Sequence, residues 1–275
     1  MLEICTLEKL SFGDLIAAFL EAFEGYFVKM PEDPEYYRER WQAAGLKFQL
    51  SFGAFYQDQL VGFILHGIDR RDSDLIAFNT GTGVIPEFRG RHIVSNIYSH
   101  ALPILRSAGI TKSKLEVIQQ NHTAVKVYQR VGFEITRNYK CFQGELATVP
   151  STASVDEIEI DDLDWAKIPH QSLQSWDHQK ASLIKGPYHC YQASMDGSTL
   201  GFIALNAAVN HVALCEIITD NPDDWEHLLA ALKTITPLAR ITNVDSSLTE
   251  KIEALKKAGL KNTIDQYEME LNLKL

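Results

Sequence analysis

Cysteine is scarce: four residues in 275, Cys5, Cys141, Cys190 and Cys215, without Cys-x-x-Cys or Cys/His ligand spacing. That excludes a disulfide scaffold and a cysteine-based metal box, so no metal is expected. No run of 18 apolar residues occurs, which excludes a helical membrane span. Basic charge is short as well, with 26 Lys and Arg against 36 Asp and Glu, a net charge of -10. The deficit is uneven: residues 1–150 hold 16 basic and 17 acidic side chains, leaving 10 against 19 for the rest. An acidic face repels phosphate backbones and anionic lipid, so neither nucleic acid nor membrane is expected as a partner, and a cationic acceptor such as an amine is favoured. The start has no basic segment before an apolar run, since Glu3, Glu8 and Asp14 come early. No signal peptide is therefore expected, and the cytoplasm is the expected compartment.

What is present is enough chain for two cores. Leu15, Phe19, Phe23 and Phe27 recur at helical spacing, and Pro34 fits the first turn of a second helix ending near Gly45. Residues 48–55, 60–68 and 74–85 read as three strands in a meander, with Gly81 and Gly83 inside the third marking a bulge or a close approach. Next comes Val84-Ile-Pro-Glu-Phe-Arg-Gly-Arg-His-Ile-Val94, which reads as the end of a strand, a tight loop and a helix start. The first turn of a helix leaves N–H groups without acceptors and adds partial positive charge, so an anion belongs there. Arg89 and Arg91 flank Gly90, which lets backbone approach a phosphate; the stretch suits a pyrophosphate better than a single carboxylate. Residues 112–119 read as a strand, Asn121 caps a helix that stops at Gly132, and residues 133–143 alternate again.

That loop, with Asn121-His122-Thr123-Ala124, Tyr128 and Gly132-Phe133 after it, resembles the GNAT superfamily of N-acetyltransferases. The later motif, Asn-x-x-Ala-x-x-x-Tyr-x-x-x-Gly-Phe, is matched at every named position. The loop motif is matched at Arg89, but His92 and Val94 stand where the family has glycine and a small residue. The resemblance implies an α+β fold with a mixed sheet, in the order ααβββαβαβ, and acetyl-CoA as co-substrate. By position, Val84, Ile85, Arg89, Gly90, Arg91, His92, Ile93, Val94 and Ser95 would bind it, the diphosphate lying between Arg89 and Ser95, with Asn121 and Tyr128 farther along the arm. A backbone N–H near Val84 would meet the oxyanion, and Tyr26 and Phe27 would wall the acceptor pocket.

The implied reaction moves an acetyl group directly to a primary amine of a small molecule or peptide. Tyr128 would donate to the leaving sulfur, and Glu116 would take a proton from the amine. Glu116 precedes Tyr128 by twelve residues, a spacing similar to that of the ribosomal-protein alanine acetyltransferases. A strand carboxylate paired with Lys114 or Lys126 is the plain alternative for Glu116. Two other functions remain open at this level: a non-catalytic acyl-CoA sensor, and a scaffold with both cofactor sites dead. The sequence leaves the oligomeric state open, with a monomer compatible.

Residues 146–156 have linker composition, dividing a domain over 1–146 from a second over 157–275. The second echoes the first. Gly201-Phe202-Ile203 mirrors Gly62-Phe63-Ile64, and Gly259-Leu260 mirrors Gly132-Phe133. The first pair lies 139 residues apart and the second 127, so twelve residues are missing between them, expectedly at the cofactor loop. Three carboxylates, Asp220, Asp223 and Asp224, stand at that helix start and would repel a pyrophosphate, and Leu255 takes the place of the tyrosine. The second domain reads as GNAT-like and degenerate.

Overall fold

The computed structural model describes residues 2–274, which divide into two compact units. The chain runs β1 (Glu3–Thr6), α1 (Phe12–Ala22), α2 (Pro34–Ala44), β2 (Phe52–Tyr56), β3 (Gln59–Arg71), β4 (Asp74–Val84), α3 (Ile93–Ser107), β5 (Lys112–Ile118), α4 (His122–Val131) and β6 (Glu134–Glu145). It continues with β7 (Ser154–Ile158), α5 (Lys180–Leu183), β8 (His189–Met195), β9 (Ser198–Asn206), β10 (His211–Ile217), α6 (Asp224–Ile235), β11 (Leu238–Asp245), α7 (Thr249–Lys257) and β12 (Lys261–Asn272).

The expected α+β fold is present, preceded by β1, a four-residue strand too short to show a period in the sequence. The helix boundaries follow local chemistry. Ser11 and Asp33 accept from the backbone N–H of Asp14 and Glu35, and Gly45 closes α2 with a left-handed backbone.

The units do not part at residues 146–156. The first comprises 1–117, 121–136 and 268–275; the second comprises 118–120 and 137–267. Ser154, Val155 and Asp156 pair with Ser194, Ala193 and Gln192, and Leu146 is buried in the second core. Residues 154–156 open an edge strand, which tolerates small polar residues because one side faces water.

Within the first unit the strand order is β1-β2-β3-β4-β5, then the end of β12, then the start of β6. Within the second it is β7-β8-β9-β10-β11, then the rest of β6, then the start of β12. The two orders are the same pattern, with β6 and β12 exchanging places. In the first unit β12 is fixed by charge: Lys112 bridges Glu270 at 3.1 Å, Lys114 bridges Glu268 at 3.4 Å, and Lys274 bridges Asp74 at 2.7 Å. Lys274 and Thr111 beside Asp74 hold its carboxyl down to about 2.

The missing residues are shared out. Gly62 pairs with Val84, 22 residues on, while Gly201 pairs with Ile217, 16 on, so half of the shortening lies in the β9–β10 hairpin. The loop from β10 to α6 covers residues 218–223 against 85–92 from β4 to α3. It is shorter by two residues, not twelve.

In the first unit, α1 and α2 lie on one face of the β3–β4 ladder. Phe19 stacks on Phe63 at 5.7 Å, and Tyr37 and Trp41 close the layer. The glycines of β4 serve this packing: a Cβ on Gly83 would stand 2.5 Å from Phe63 and 2.7 Å from Ala22. On the other face α3 covers Gly62, where a Cβ would meet Ile93 at 2.6 Å.

His66, on β3, is fully buried, with Nδ1 on the Leu50 carbonyl at 2.7 Å and its ring beside Phe52 and Tyr98. Burial pulls its pKa from 6.5 down to about 4. Folding thus favours the neutral ring: that stability is whole above pH 6.5 and is lost as pH falls toward 4. We expect the first unit to lose about 3 kcal/mol across that window, at about 1.36 kcal/mol per pKa unit. Urea unfolding at pH 7 and pH 4.5 measures it, and His66→Gln flattens the dependence.

Candidate active site

The site begins at a bulge. Leu65 pairs with Gly81 and His66 with Asn79, so Thr80 is an extra residue in β4. A strand alternates faces with period two, and one inserted residue restores the face after three. Asn79 and Thr82 therefore point the same way, toward α3, and Asn79 Nδ2 donates to Thr82 Oγ1 at 2.6 Å.

The bulge also ends a ladder. β4 and β5 pair in parallel only from Ile76–Lys112 to Asn79–Leu115. Ile85 N–H donates to Val61 O, and alternation along the antiparallel β3–β4 pair then turns the N–H groups of Thr82 and Val84 away from β3, into the opening beside β5. The bulge that the strand glycines pointed to is present, and β4 and β5 splay beyond it. Of the expected oxyanion donors near Val84, Ile85 is already engaged, and Val84 and Thr82 face the gap.

Tyr128 closes the other side. Its ring is 8% exposed, edge-on to Tyr98 at 6.3 Å and to Phe133 at 5.9 Å. Its hydroxyl faces the polar side chains of Thr82 and Asn79 and the Tyr26 phenol. Burial pushes its pKa up to about 12, so it is a neutral donor at physiological pH. Asn79 Nδ2 also donates to Tyr98 Oη at 2.8 Å, and Asn79 Oδ1 accepts from Gly81 N–H at 3.1 Å. Asn79, Thr82 and Tyr98 are the members that sequence reasoning missed. The signal for Asn79 and Thr82 was polar residues near Gly81 in an otherwise apolar strand; Tyr98 lies on α3.

Asn121 caps α4, accepting from Ala124 N–H at 3.1 Å, and its side chain neighbours the Tyr26 phenol, whose pKa burial raises. Tyr26 continues an aromatic row from Phe23 and meets Phe27 at 5.3 Å. Tyr26 is thus tied to the site, while Phe27 is 52% exposed.

The loop between β4 and α3 holds its charge differently from expectation. Arg89 donates from Nε to Val84 O at 3.2 Å and from Nη2 to Ala22 O at 3.1 Å, fastening the loop to the end of α1. Arg91 donates to Glu87 O at 3.0 Å and lies 4.8 Å over the Phe88 ring. Both guanidinium groups are exposed but partly committed to backbone. Gly90 has a left-handed backbone with nothing within 4 Å of a notional Cβ. His92, also left-handed, starts α3 without a capping bond from its side chain, so the N–H groups of Ile93, Val94 and Ser95 lack intrahelical acceptors. The His92 side chain is exposed and the Ile93 side chain is buried, so backbone is what this turn offers.

Glu116 lies on β5 just past the last pair with β4, half-buried. It shares a face with Lys112 and Lys114, while Leu115 and Val117 occupy the other. Lys114 is engaged by Glu268 and Glu270.

The equivalent opening in the second unit is filled. β10 and β11 pair at His211–Arg240 alone, and beyond it Glu216 accepts from Lys251 Nζ at 2.5 Å and from Gln174 Nε2 at 2.9 Å. Among the carboxylates at the start of α6, Asp224 accepts from Thr219 Oγ1 at 2.6 Å and Asn221 Nδ2 at 3.0 Å. Leu255 is fully buried. Among the described residues no group of His, Cys, Asp and Glu is arranged for a metal, and no helix is long and apolar enough to cross a membrane.

Removing the cap by Asn121→Ala should cost about 1 kcal/mol of stability, read by thermal unfolding.

Residues 16–133 match the sequence model of the acetyltransferase (GNAT) family. No curated protein matches the chain closely. Among solved structures, a tandem GNAT protein of the clavulanic acid biosynthesis pathway is 14% identical, covering 100% of this chain and 99% of its own, with a TM-score of 0.73. A GCN5-related N-acetyltransferase from Sphaerobacter thermophilus is 9% identical, with 100% and 96% covered and a TM-score of 0.68. A third, from Anabaena variabilis, is 11% identical, with 100% and 73% covered and a TM-score of 0.62. At these identities the likeness is one of fold, and the fold is that of acyl-CoA N-acyltransferases. Residues 16–133 are therefore a GNAT-family domain, and the chain as a whole carries the GNAT fold.

Proposed function

We propose that the first unit is an N-acetyltransferase that moves an acetyl group from acetyl-CoA to a primary amine of a small molecule or peptide. The observation that carries this reading is the alignment, along one opening, of three features: the uncapped turn at Ile93–Ser95, the freed edge of β4 at Thr82 and Val84, and the Tyr128 hydroxyl.

The residues present fit the co-substrate. N–H groups at the start of α3 attract a diphosphate, Gly90 leaves room beside them, and the freed edge of β4 can hydrogen-bond an extended amide-bearing arm as a strand would. The thioester supplies an activated acyl carbon and a thiolate leaving group. In this reading Val84 N–H meets the oxyanion and Tyr128 donates to the sulfur. An alkyl amine, with pKa near 10.4, must lose a proton before it can attack. Glu116, at the mouth of the opening, is the base in this reading, with Tyr26 and Phe27 as acceptor walls.

The second unit is read as a GNAT-like domain that binds no co-substrate, since Lys251, Glu216 and Gln174 occupy its opening. Four free thiols are in keeping with the cytoplasm as the compartment.

One observation favours a second reading, a non-catalytic acyl-CoA sensor: Arg89 and Arg91 are partly spent on backbone carbonyls. Turnover separates the two, because a sensor binds acetyl-CoA and releases no thiol with any amine.

Acetyl-CoA at about 100 times its dissociation constant should stabilise the protein by roughly 2.7 kcal/mol, seen as a thermal shift. Tyr128→Phe should lower kcat by about a hundredfold with acetyl-CoA affinity nearly unchanged; a wild-type kcat removes Tyr128 from the mechanism.

A further inference from the structure

Of the two arginines in the loop between β4 and α3, Arg91 bonds within the loop, to Glu87 O, while Arg89 reaches out of it. Its Nη2 donates to Ala22 O at 3.1 Å and its Nε to Val84 O at 3.2 Å. Ala22 is the last residue of α1, and the last turn of that helix has no basic residue of its own. A helix C-terminus carries carbonyls without intrahelical partners and partial negative charge, so the guanidinium supplies the cation that α1 lacks. Val84 ends β4, and the N–H of Ile85 after it is held by Val61 O at 3.1 Å. The peptide joining Val84 to Ile85 is thus fixed at both its oxygen and its hydrogen. The two anchored ends also meet directly: a Cβ on Gly83 would stand 2.7 Å from the Ala22 Cβ.

The acceptor side starts at the next residue. Phe23 follows Ala22, stacks on Phe19 at 4.4 Å, and leads through Tyr26 at 4.9 Å to Phe27 at 5.3 Å. Tyr26 N–H donates to Phe23 O at 3.1 Å, so this turn hangs from the end of α1. Arg89 is exposed, and the N–H groups of its fork that are not on these carbonyls stay open to an anion.

We propose that Arg89 is a positioning residue that couples the co-substrate turn to the acceptor wall, holding Ala22 O and Val84 O with one side of its guanidinium and a diphosphate with the other. The inference rests on the acetyltransferase reading. A guanidinium is a rigid planar fork that can bind two carbonyls and an anion at once, whereas an ammonium is a point charge. Contact with an anion fixes the plane of the fork, and a fixed fork restrains the end of α1 from which Tyr26 and Phe27 hang. Such coupling is reciprocal: an amine seated on Tyr26 and Phe27 tightens the hold on the diphosphate by the same factor.

Hydrogen exchange of the amides of residues 23–28, with and without coenzyme A, tests this. Each protein is brought to saturation, as judged by calorimetry, so that a change in affinity does not enter. In the wild type, coenzyme A should slow exchange in this segment about tenfold, within the range typical of coupled sites. Arg89→Met should abolish the slowing, and Arg89→Lys should not restore it, because the ammonium keeps the charge and loses the fork. Arg91→Met removes the same charge from the same loop without touching Ala22 O, and should keep the full slowing. In the absence of coenzyme A, the segment should exchange faster in Arg89→Met than in Arg91→Met. Unchanged exchange on saturation of the wild type, full slowing in Arg89→Met, or an equal loss in Arg91→Met each overturn the proposal and leave the acetyltransferase reading standing. Full rescue by Arg89→Lys overturns it too, since charge alone then suffices. Failure of the wild type to bind coenzyme A sinks the proposal and that reading together.

Discussion

One inserted residue governs the first unit. Without Thr80 as an extra member of β4, the ladder to β5 could continue past Asn79–Leu115, and the N–H groups of Thr82 and Val84 would be consumed by a neighbouring strand. With it, the sheet stays closed below and opens above. The cost of leaving strand edges unpaired is tolerable because the opening is lined by groups that can satisfy an incoming chain. Glycine at 81 and 83 lets α1 lie close behind this open end, so the opening is braced by aromatic packing on its far side.

The second unit shows the same sheet order with the opposite outcome. Its parallel ladder is still shorter, yet a buried lysine and glutamate meet across the gap, and Gln174 satisfies the same carboxylate. An ion pair removed from water is tolerated only where its partners are complete. Here the pair is accompanied by that further donor, and the space that an acyl arm would need is already spoken for. The second unit keeps the same sheet order, and its opening is held by internal contacts.

Much of this was legible in the sequence because the signals were local. Gly45, Asn121 and Gly132 mark helix ends through bonds to their own neighbours, and all three serve so. The loop around Gly90 and the Tyr128 motif are likewise short-range. What escaped was non-local. Nothing near Leu146 announces that it belongs to the second core, because its partners, Pro237 and Lys233, lie far along the chain. The two carbonyls that hold Arg89 could not be foreseen from its loop, since one of them, Ala22, precedes it by 67 residues. Asn79 and Thr82 escaped for a different reason: a bulge shifts parity by one, and an assumed strict alternation sets them on opposite faces.

The exchange of β6 and β12 sets an order of events during synthesis. Glu268, which enters the first unit beside β5, is made 134 residues after Glu134, where β6 begins. At about 5–20 residues per second, the first sheet waits on the order of ten seconds for a strand that only arrives once nearly all of the second unit has been translated. During that interval Lys112 has Asp74 as its partner, but Lys114 lacks Glu268 and Glu270, and a lysine on an open strand edge discourages wrong strands from pairing until the acidic one comes. A fragment ending near residue 146 would keep that edge bare permanently.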